Sequence, residues 1–358
     1  SALAAYSYIN TYGASGNSYG GGLSLTTQNL ANPYLHWETD RNFEAGMNID
    51  LFKGRLNLEA IYFTNKAGDQ LTNQPLASIT GFTSFMVNSA AQIRSYGAEF
   101  TLSTKNIQSK DFSWTSRILL TIPRTKLLAF PGLGKLLNNN NYVIGKSITG
   151  YKVIKYAGVD PATGYYNFYN AAGKKGAYLD FLGPNVLSNS DRTEFVDLAP
   201  KWYGSVLNTL SYKNFSMDFL ITVTDRTAPS YLAFLTFTPG TNNTNIPADI
   251  AARRWRKPGD VASVMKATQG FNGYLGQVNF KNSTAAFSNS TYARLQNLSL
   301  SYRLPARMVR KAGMSAFSVY VAGQNLLTVS RYKGLDPESL TNRIPPLRVF
   351  TGGLTVGF

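Results

Sequence analysis

The chain has 358 residues and no cysteine, which excludes a disulfide framework, a thiolate metal site and a cysteine nucleophile. Charged residues make up only 15% of it, while 22 Tyr, 21 Phe and 31 Gly give the aromatic, glycine-rich, polar-uncharged profile of many strands and long loops, below the roughly 25% charge of an average soluble domain. A formal charge of +16 suits an acidic partner or an anionic membrane surface; with no compact basic helix and no zinc-finger, helix-turn-helix or RNA motif it does not indicate nucleic acid, and no apolar run approaches the 18 or so residues of a membrane helix.

In chain order, residues 1–36 hold the loop-like stretch SYINTYGASGNSYGGG and end at His36, the single histidine, beside Trp37. Strict alternation then begins. In NFEAGMNIDLF, Phe43, Ala45, Met47, Ile49 and Leu51 share one face and Asn42, Glu44, Gly46, Asn48 and Asp50 the other. Lys53 and Gly54 turn the chain into RLNLEAIYF, where Leu56, Leu58, Ala60 and Tyr62 oppose Asn57, Glu59, Ile61 and Phe63. SYGAEFTLST and FSWTSRILLT form the next pair, with a turn around Ile107; KWYGSVLNTLSY and FSMDFLITVT form a third, turning at Lys213 and Asn214. LSLSYRLP and AFSVYVAGQNLL flank a turn around Val309, and RVFTGGLTVGF closes the chain, with Phe350, Gly352, Leu354, Val356 and Phe358 on one face.

This makes about nine strands of about 9–11 residues, the length that crosses a bilayer when tilted. Short turns alternate with long segments at about Lys66 to Gln92, Pro123 to Pro200, Asp225 to Ser290 and Arg331 to Leu347. Short turns on one side and long loops on the other predict an all-β fold, a transmembrane antiparallel β-barrel with long extracellular loops. A soluble β-sandwich also alternates, but does not account for long loops at every second connection. Since a charge facing lipid costs about 2–4 kcal/mol at the midplane, Glu44, Asp50, Glu59, Glu99, Arg117 and Asp218 are expected to face the lumen. A final strand ending on the short-turn side, counted back through nine, starts the first on the long-loop side, so the chain is expected to be the C-terminal part of a larger barrel with an even strand count.

Catalytic chemistry has little to build on. Serines, acids and the lone His36 form no nucleophile motif, no acidic pair has glycosidase spacing, and neither a metal site nor a cofactor motif is evident. His36 is read as a loop residue. Two loops stand out. DPATGYYNFYN offers Tyr165, Tyr166, Phe168 and Tyr169 either to stack on a sugar or lid protein or to pack on neighbouring loops. ARRWRKPGD sets Trp255 among Arg253, Arg254 and Arg256, to touch an acidic partner or to brace the loop by cation–π contact.

Six segments in order resemble the SusC/RagA family of TonB-dependent outer-membrane transporters. They are NPYLHWETDRNFEAGMNIDLFKGRLNLEAIYFTNKAGDQL, SYGAEFTLS, IPRTKLLAFPGL, YVIGKSITGYKVIKYAGVDPATGYYNFYNAAGK, RRWRKPGD, and ARLQNLSLSYRLP with VYVAGQNLLTVSRYKGLDPE; the closing GGLTVGF is similar to the family's last strand. The resemblance implies a roughly 22-stranded, plugged barrel in the bacterial outer membrane, in contact with its lipid. It also implies a SusD-like lid lipoprotein, TonB-driven uptake of glycans or peptides, and a homodimer of transporter–lid pairs. A TonB box, plug and N-terminal extension are not found in these residues. Phe350, Leu354, Val356 and Phe358 are then the signal that the last strand presents to the assembly machinery, or interfacial anchors. A passive channel or structural subunit, and a soluble adhesin, are the alternatives.

Overall fold

A computed structural model describes residues 8–19, 22–135, 142–180, 183, 185–234, 239–240, 245–311, 313–340 and 344–358. Parts of the three later long segments, and the first seven residues, lie outside the described residues. A hairpin of β1 (Thr11–Tyr19) and β2 (Gly22–Asn29) comes first, followed by β3 (Thr39–Leu51) and β4 (Leu56–Gly68). A small hairpin, β5 (Gln70–Pro75) with β6 (Ser84–Ser89), precedes β7 (Gln92–Gln108) and β8 (Phe112–Ala129). The next connection carries β9 (Gly150–Val153), β10 (Lys155–Val159), β11 (Tyr166–Tyr169), β12 (Lys175–Gly176) and β13 (Glu194–Asp197). After β14 (Trp202–Tyr212) and β15 (Phe215–Asp225) come β16 (Thr227–Pro229), α1 (Ala248–Arg253), α2 (Phe271–Lys281) and β17 (Phe287–Asn289). Then β18 (Tyr292–Arg303), α3 (Ala306–Lys311), β19 (Ala316–Ser330) and β20 (Val349–Gly357) complete the chain.

Nine of these strands form one antiparallel sheet in the order β20-β19-β18-β15-β14-β8-β7-β4-β3, open at β20 and β3. Every neighbour in this wall is also its neighbour in the wall's sequence order, the meander expected of a barrel segment. Ladder register keeps the two faces distinct, because directly opposed residues share a face and a one-residue slip would mix them. Ile49 meets Leu58, Leu58 meets Leu102 and Leu102 meets Ile118 on the apolar face; on the other, Asp50 meets Asn57, Asn57 meets Ser103 and Ser103 meets Arg117. The apolar face is uncovered at Phe43, Met47, Val321, Phe350 and Leu354, all well exposed, the kind of exposed apolar surface that marks a membrane or partner contact.

Turn positions differ from expectation in two places. The β7–β8 turn falls at Ser109 to Asp111, since a bulge between Lys105 and Ile107 keeps Ile107 in the ladder opposite Trp114. The turn around Val309 is the short helix α3, whose Val309 is buried. At the first turn Phe52, Lys53 and Gly54 all have positive φ (54°, 57° and 75°), and Lys213 has φ 52°, the left-handed geometry that tight hairpins need. Several strands outrun the expected length: β7 has 17 residues and β8 has 18, more than a bilayer needs. Pro123 therefore lies within β8 rather than at the start of a loop; beyond Thr121 the strand has no ladder partner on its β14 side, so a residue lacking an N–H is tolerated there.

The hydrophobic core lies in the connections rather than in the wall. Ile154, Tyr166, Phe168, Met265 and Phe280 form it, with Tyr156, Val159, Tyr165 and Leu187 packed around them.

Candidate functional site

Two surfaces carry the polar chemistry. The first is the polar face of the wall. Register places Glu44, Asp50, Glu59, Glu99, Arg117 and Asp218 on this one face, through the pairs Asn48 with Glu59, Asp50 with Asn57, Ile61 with Glu99, Ser103 with Arg117, Arg117 with Leu207 and Thr209 with Asp218. Asn57 Nδ2 donates to Asp50 Oδ1 at 3.0 Å and Thr209 Oγ1 donates to Asp218 Oδ1 at 2.6 Å. Near the short turns, Asp50, Arg55, Asn57, Lys105, Arg117 and Thr209 line a cavity of about 440 Å³.

The second surface is a packed loop unit built from the two long connections, 130–201 and 226–291. In DPATG, Asp160 accepts from the Ala162 N–H at 2.9 Å, and the Gly164 N–H bonds back to the Asp160 carbonyl at 2.8 Å, closing the β10–β11 hairpin. Alternate residues of β11 then face inward. Tyr166 and Phe168, 3% and 0% exposed, pack on Phe280 of α2; the Tyr166 and Phe280 rings stack at 4.7 Å. Burial pushes the Tyr166 hydroxyl up to about 12. Helix α2 contains Gly273 and Gly276, each costing about 1 kcal/mol of helix propensity against Ala. Packing sets this helix, whose Gly273, Gly276, Gln277 and Phe280 are buried against the rest of the unit. Backbone bonds stitch the two connections: Ile154 N–H to Asn282 O at 2.9 Å, Thr284 N–H to Ile154 O at 2.9 Å and Lys266 N–H to Gly164 O at 2.9 Å.

Among the sequence candidates, Tyr166 and Phe168 are therefore corrected: they are core residues and present nothing to a ligand. Tyr165 is half-buried with Lys266 Nζ 4.0 Å above its ring, and Tyr169 is half-buried with Lys155 Nζ at 5.8 Å. Trp255 braces the hairpin, donating from Nε1 to the Pro161 carbonyl at 2.9 Å. Arg253 is tied to Asp249 at 2.8 Å and to the Tyr231 hydroxyl; that hydroxyl donates to Asp249 and, with Arg253, holds its carboxyl below the usual range against the opposing effect of burial. Arg254 is half-buried in a bridge to Val264, which leaves Arg256, beside Lys257, as the exposed cation of the group. His36 stays a loop residue: its backbone N–H and carbonyl bond to the Asn88 side chain, and Nε2 lies 3.8 Å from Asp69. Among the described residues no group of acids and histidine is arranged to hold a metal.

Gly164 is where this unit is most sensitive. Its φ is +76° and an added Cβ would stand 2.5 Å from the Trp255 ring. Gly164→Ala is expected to destabilise the unit by more than about 1 kcal/mol through strain alone, read as faster tryptic cleavage after Arg256. Acid should loosen the unit too. Burial acts to raise the Asp191 carboxyl, but N–H donors from Ser188 and Ala171 and the Ser188 hydroxyl outweigh it and hold it below the ordinary value of 3.8. A depressed folded value stabilises fully above the unfolded one and is lost as pH falls through the folded one. Hydrogen exchange at Ala171 and Ser188 should therefore be slow at neutral pH and accelerate below about 3.8, beyond the intrinsic pH dependence of exchange, and Asp191→Asn should remove the step.

A third cluster was not legible from spacing. Arg294 on the polar face of β18 is 2% exposed and pairs with Asp336 and Glu338, both at 2.5 Å. Arg226 Nη2 donates to the Pro337 and Glu338 carbonyls, and Ser290 Oγ to Pro337 O at 2.6 Å. The LDPES stretch is thereby clamped against the ends of three strands. The sequence signal was a single Arg, Arg294, near the start of a strand whose other charge, Arg303, stands at its far end. Similarly, Asn32 and Glu38 fasten the first hairpin connection to the β5–β6 hairpin, Asn32 Nδ2 donating to Met86 O at 2.8 Å and Glu38 accepting from Leu71 N–H at 3.0 Å.

Comparison with known proteins gives this architecture a context. Residues 2–326 match the family described as TonB dependent receptor-like, beta-barrel. TonB-dependent receptor P3 of Formosa agariphila is 27% identical over 98% of this chain and 37% of its own length. TonB-dependent receptor SusC of Bacteroides thetaiotaomicron is 22% identical over 91% of this chain and 32% of its own. The structure of the RagAB peptide transporter superposes with a TM-score of 0.76 at 23% identity, covering 98% of this chain and 38% of that one. The chain thus spans rather more than a third of the length of the P3 receptor.

Proposed function

We propose, from the premise that this chain belongs to the TonB dependent receptor-like β-barrel family of outer-membrane proteins, that it forms the C-terminal wall and outer loops of a transporter importing bulky glycans or peptides with a SusD-like lid lipoprotein. The observation that carries this is the register: through the middle of the nine-stranded wall, the acidic residues and Arg117 fall on one face and uncovered hydrocarbon on the other. A wall of that kind separates lipid from a wet lumen, and Glu44, Asp50, Glu59, Glu99, Arg117 and Asp218 are assigned to the lumen.

The packed loop unit supports the second half of the reading. Loops that carry their own core present a fixed outer surface, on which a lid protein can rest and close. Arg256, Lys257, Tyr165 and Tyr169 are its contact candidates, and the chain's +16 charge favours anionic ligands or an acidic lid. Phe350, Leu354, Val356 and Phe358 stand on or beyond the end strand β20 and are assigned to recognition by the assembly machinery.

The test is uptake by cells producing the full-length protein with its co-purifying lipoprotein, using labelled oligosaccharides and peptides, with TonB present or deleted. Loss of uptake without TonB, and without the lipoprotein, is expected. Uptake that persists without TonB reduces the protein to a passive channel, and salt-independent binding with no preference for anionic ligands removes the electrostatic part.

A further inference from the structure

On the apolar face, beside the short turns, the wall is hollowed rather than flat. Phe112, Tyr212, Phe215, Met217, Leu300 and Tyr302 are among the residues lining a groove of about 430 Å³. The Phe215 and Tyr302 rings lie 4.4 Å apart across adjacent strands. Aromatic residues gathered at this level of a barrel mark the boundary between hydrocarbon and headgroups. Trp114 adds to the band, donating from Nε1 to Asn208 Oδ1 at 2.9 Å.

Directly past the groove, the turns at 109–111, 213–214 and 303–315 hold six cations, Lys110, Lys213, Arg303, Arg307, Arg310 and Lys311, against one carboxylate, Asp111. All six cations are exposed. Among the described residues none of them forms an ion pair, and Lys213 Nζ stands 5.4 Å over the Tyr212 ring at the groove's edge. The three turns are joined, Lys213 N–H to Asp111 O at 2.8 Å and Arg303 N–H to Asn214 O at 2.9 Å, so the cations form one continuous rim.

We propose that this groove and rim bind an anionic phospholipid of the periplasmic leaflet, its acyl chain in the aromatic groove and its phosphate among Lys213 and the cations of α3. The proposal rests on the outer-membrane reading, which puts short turns on the periplasmic side. Unpaired cations beside a hydrocarbon groove match a ligand with a negative head and an apolar tail, and each such cation strengthens attraction to an anionic leaflet. A second copy of this chain is the poorer occupant, because a two-fold contact through the groove would set two cationic rims against each other.

The test uses the full-length protein with its partners, stripped of lipid in dodecyl maltoside, with phosphatidylglycerol or phosphatidylethanolamine titrated in and bound lipid counted by native mass spectrometry. Phosphatidylglycerol should bind about tenfold or more tightly than phosphatidylethanolamine. A variant carrying Lys213→Gln, Arg307→Gln, Arg310→Gln and Lys311→Gln should lose that preference. Should this variant fail to assemble, Leu300→Trp carries the test: it fills the groove with another apolar side chain and should abolish retained lipid. Equal affinity for the two lipids, or retention unchanged in the variant that assembles, overturns the proposal. So does disulfide formation between two copies carrying Met217→Cys, which would make the groove a protein seam. Failure of the outer-membrane reading would show earlier and differently, as a protein soluble without detergent before any lipid is added.

Discussion

Phe219→Arg should prevent or cripple assembly of the wall, whereas Leu220→Arg, one residue along, should leave it nearly intact. The two side chains are adjacent and similarly apolar, so hydropathy alone ranks the substitutions as equals. Register separates them: Phe219 is opposed by Asn208 and Leu298 on the apolar face, Leu220 by Leu207 and Asn297 on the polar one. Both lie near the middle of the 11-residue β15, where arginine on the lipid side costs about 2–4 kcal/mol and on the lumen side meets water. The measurement is the fraction of full-length protein that runs as a heat-modifiable barrel after expression in membranes, followed by the urea midpoint of whatever assembles. Equal loss from both variants would sink the lumen assignment of the whole polar face, since the ladder links Asp218 to Arg117 and Glu99 by unbroken register.

Removing the Arg294 guanidinium should release the LDPES clamp. Arg294→Met preserves much of the packing but leaves Asp336, itself buried, without its cation. Breaking such a pair by deleting one partner costs about 3–5 kcal/mol, mostly as the penalty of an unpaired buried charge. Glu338 is about half exposed and contributes little. The expected result is rapid tryptic cleavage after Arg331 and Lys333 in the assembled protein, with the barrel band unchanged. Adding Asp336→Leu should recover most of the protection, because it removes the orphaned charge. Slow cleavage in the Arg294→Met variant would mean that Arg226 and Ser290 hold the segment by themselves.

These two expectations come from parts of the chain that differed in how openly they could be read. The wall was legible because alternation is a local signal: Glu44, Asp50 and Glu59 declare their face within one hairpin. The same logic gave the strand count and the order of long and short connections. Local signal fails where partners lie far apart. Tyr166 and Phe168 look like a ligand-stacking loop until Met265 and Phe280, about a hundred residues on, are seen to cover them. Arg294 likewise finds its partners 42 and 44 residues downstream. Turn positions slipped where a bulge at Asn106 and the helix α3 broke the two-residue period.

The shared core of the two long connections also restricts how such a protein can be recombined. Because Phe168 from one connection and Phe280 from the other fill the same interior, a chimera that borrows residues 130–201 from a relative while keeping its own 226–291 brings two half-interiors of unrelated shape together. Exchange of ligand preference between relatives should therefore succeed only when both connections travel as a matched cassette, and single-connection hybrids should reach the membrane with their loops open to protease.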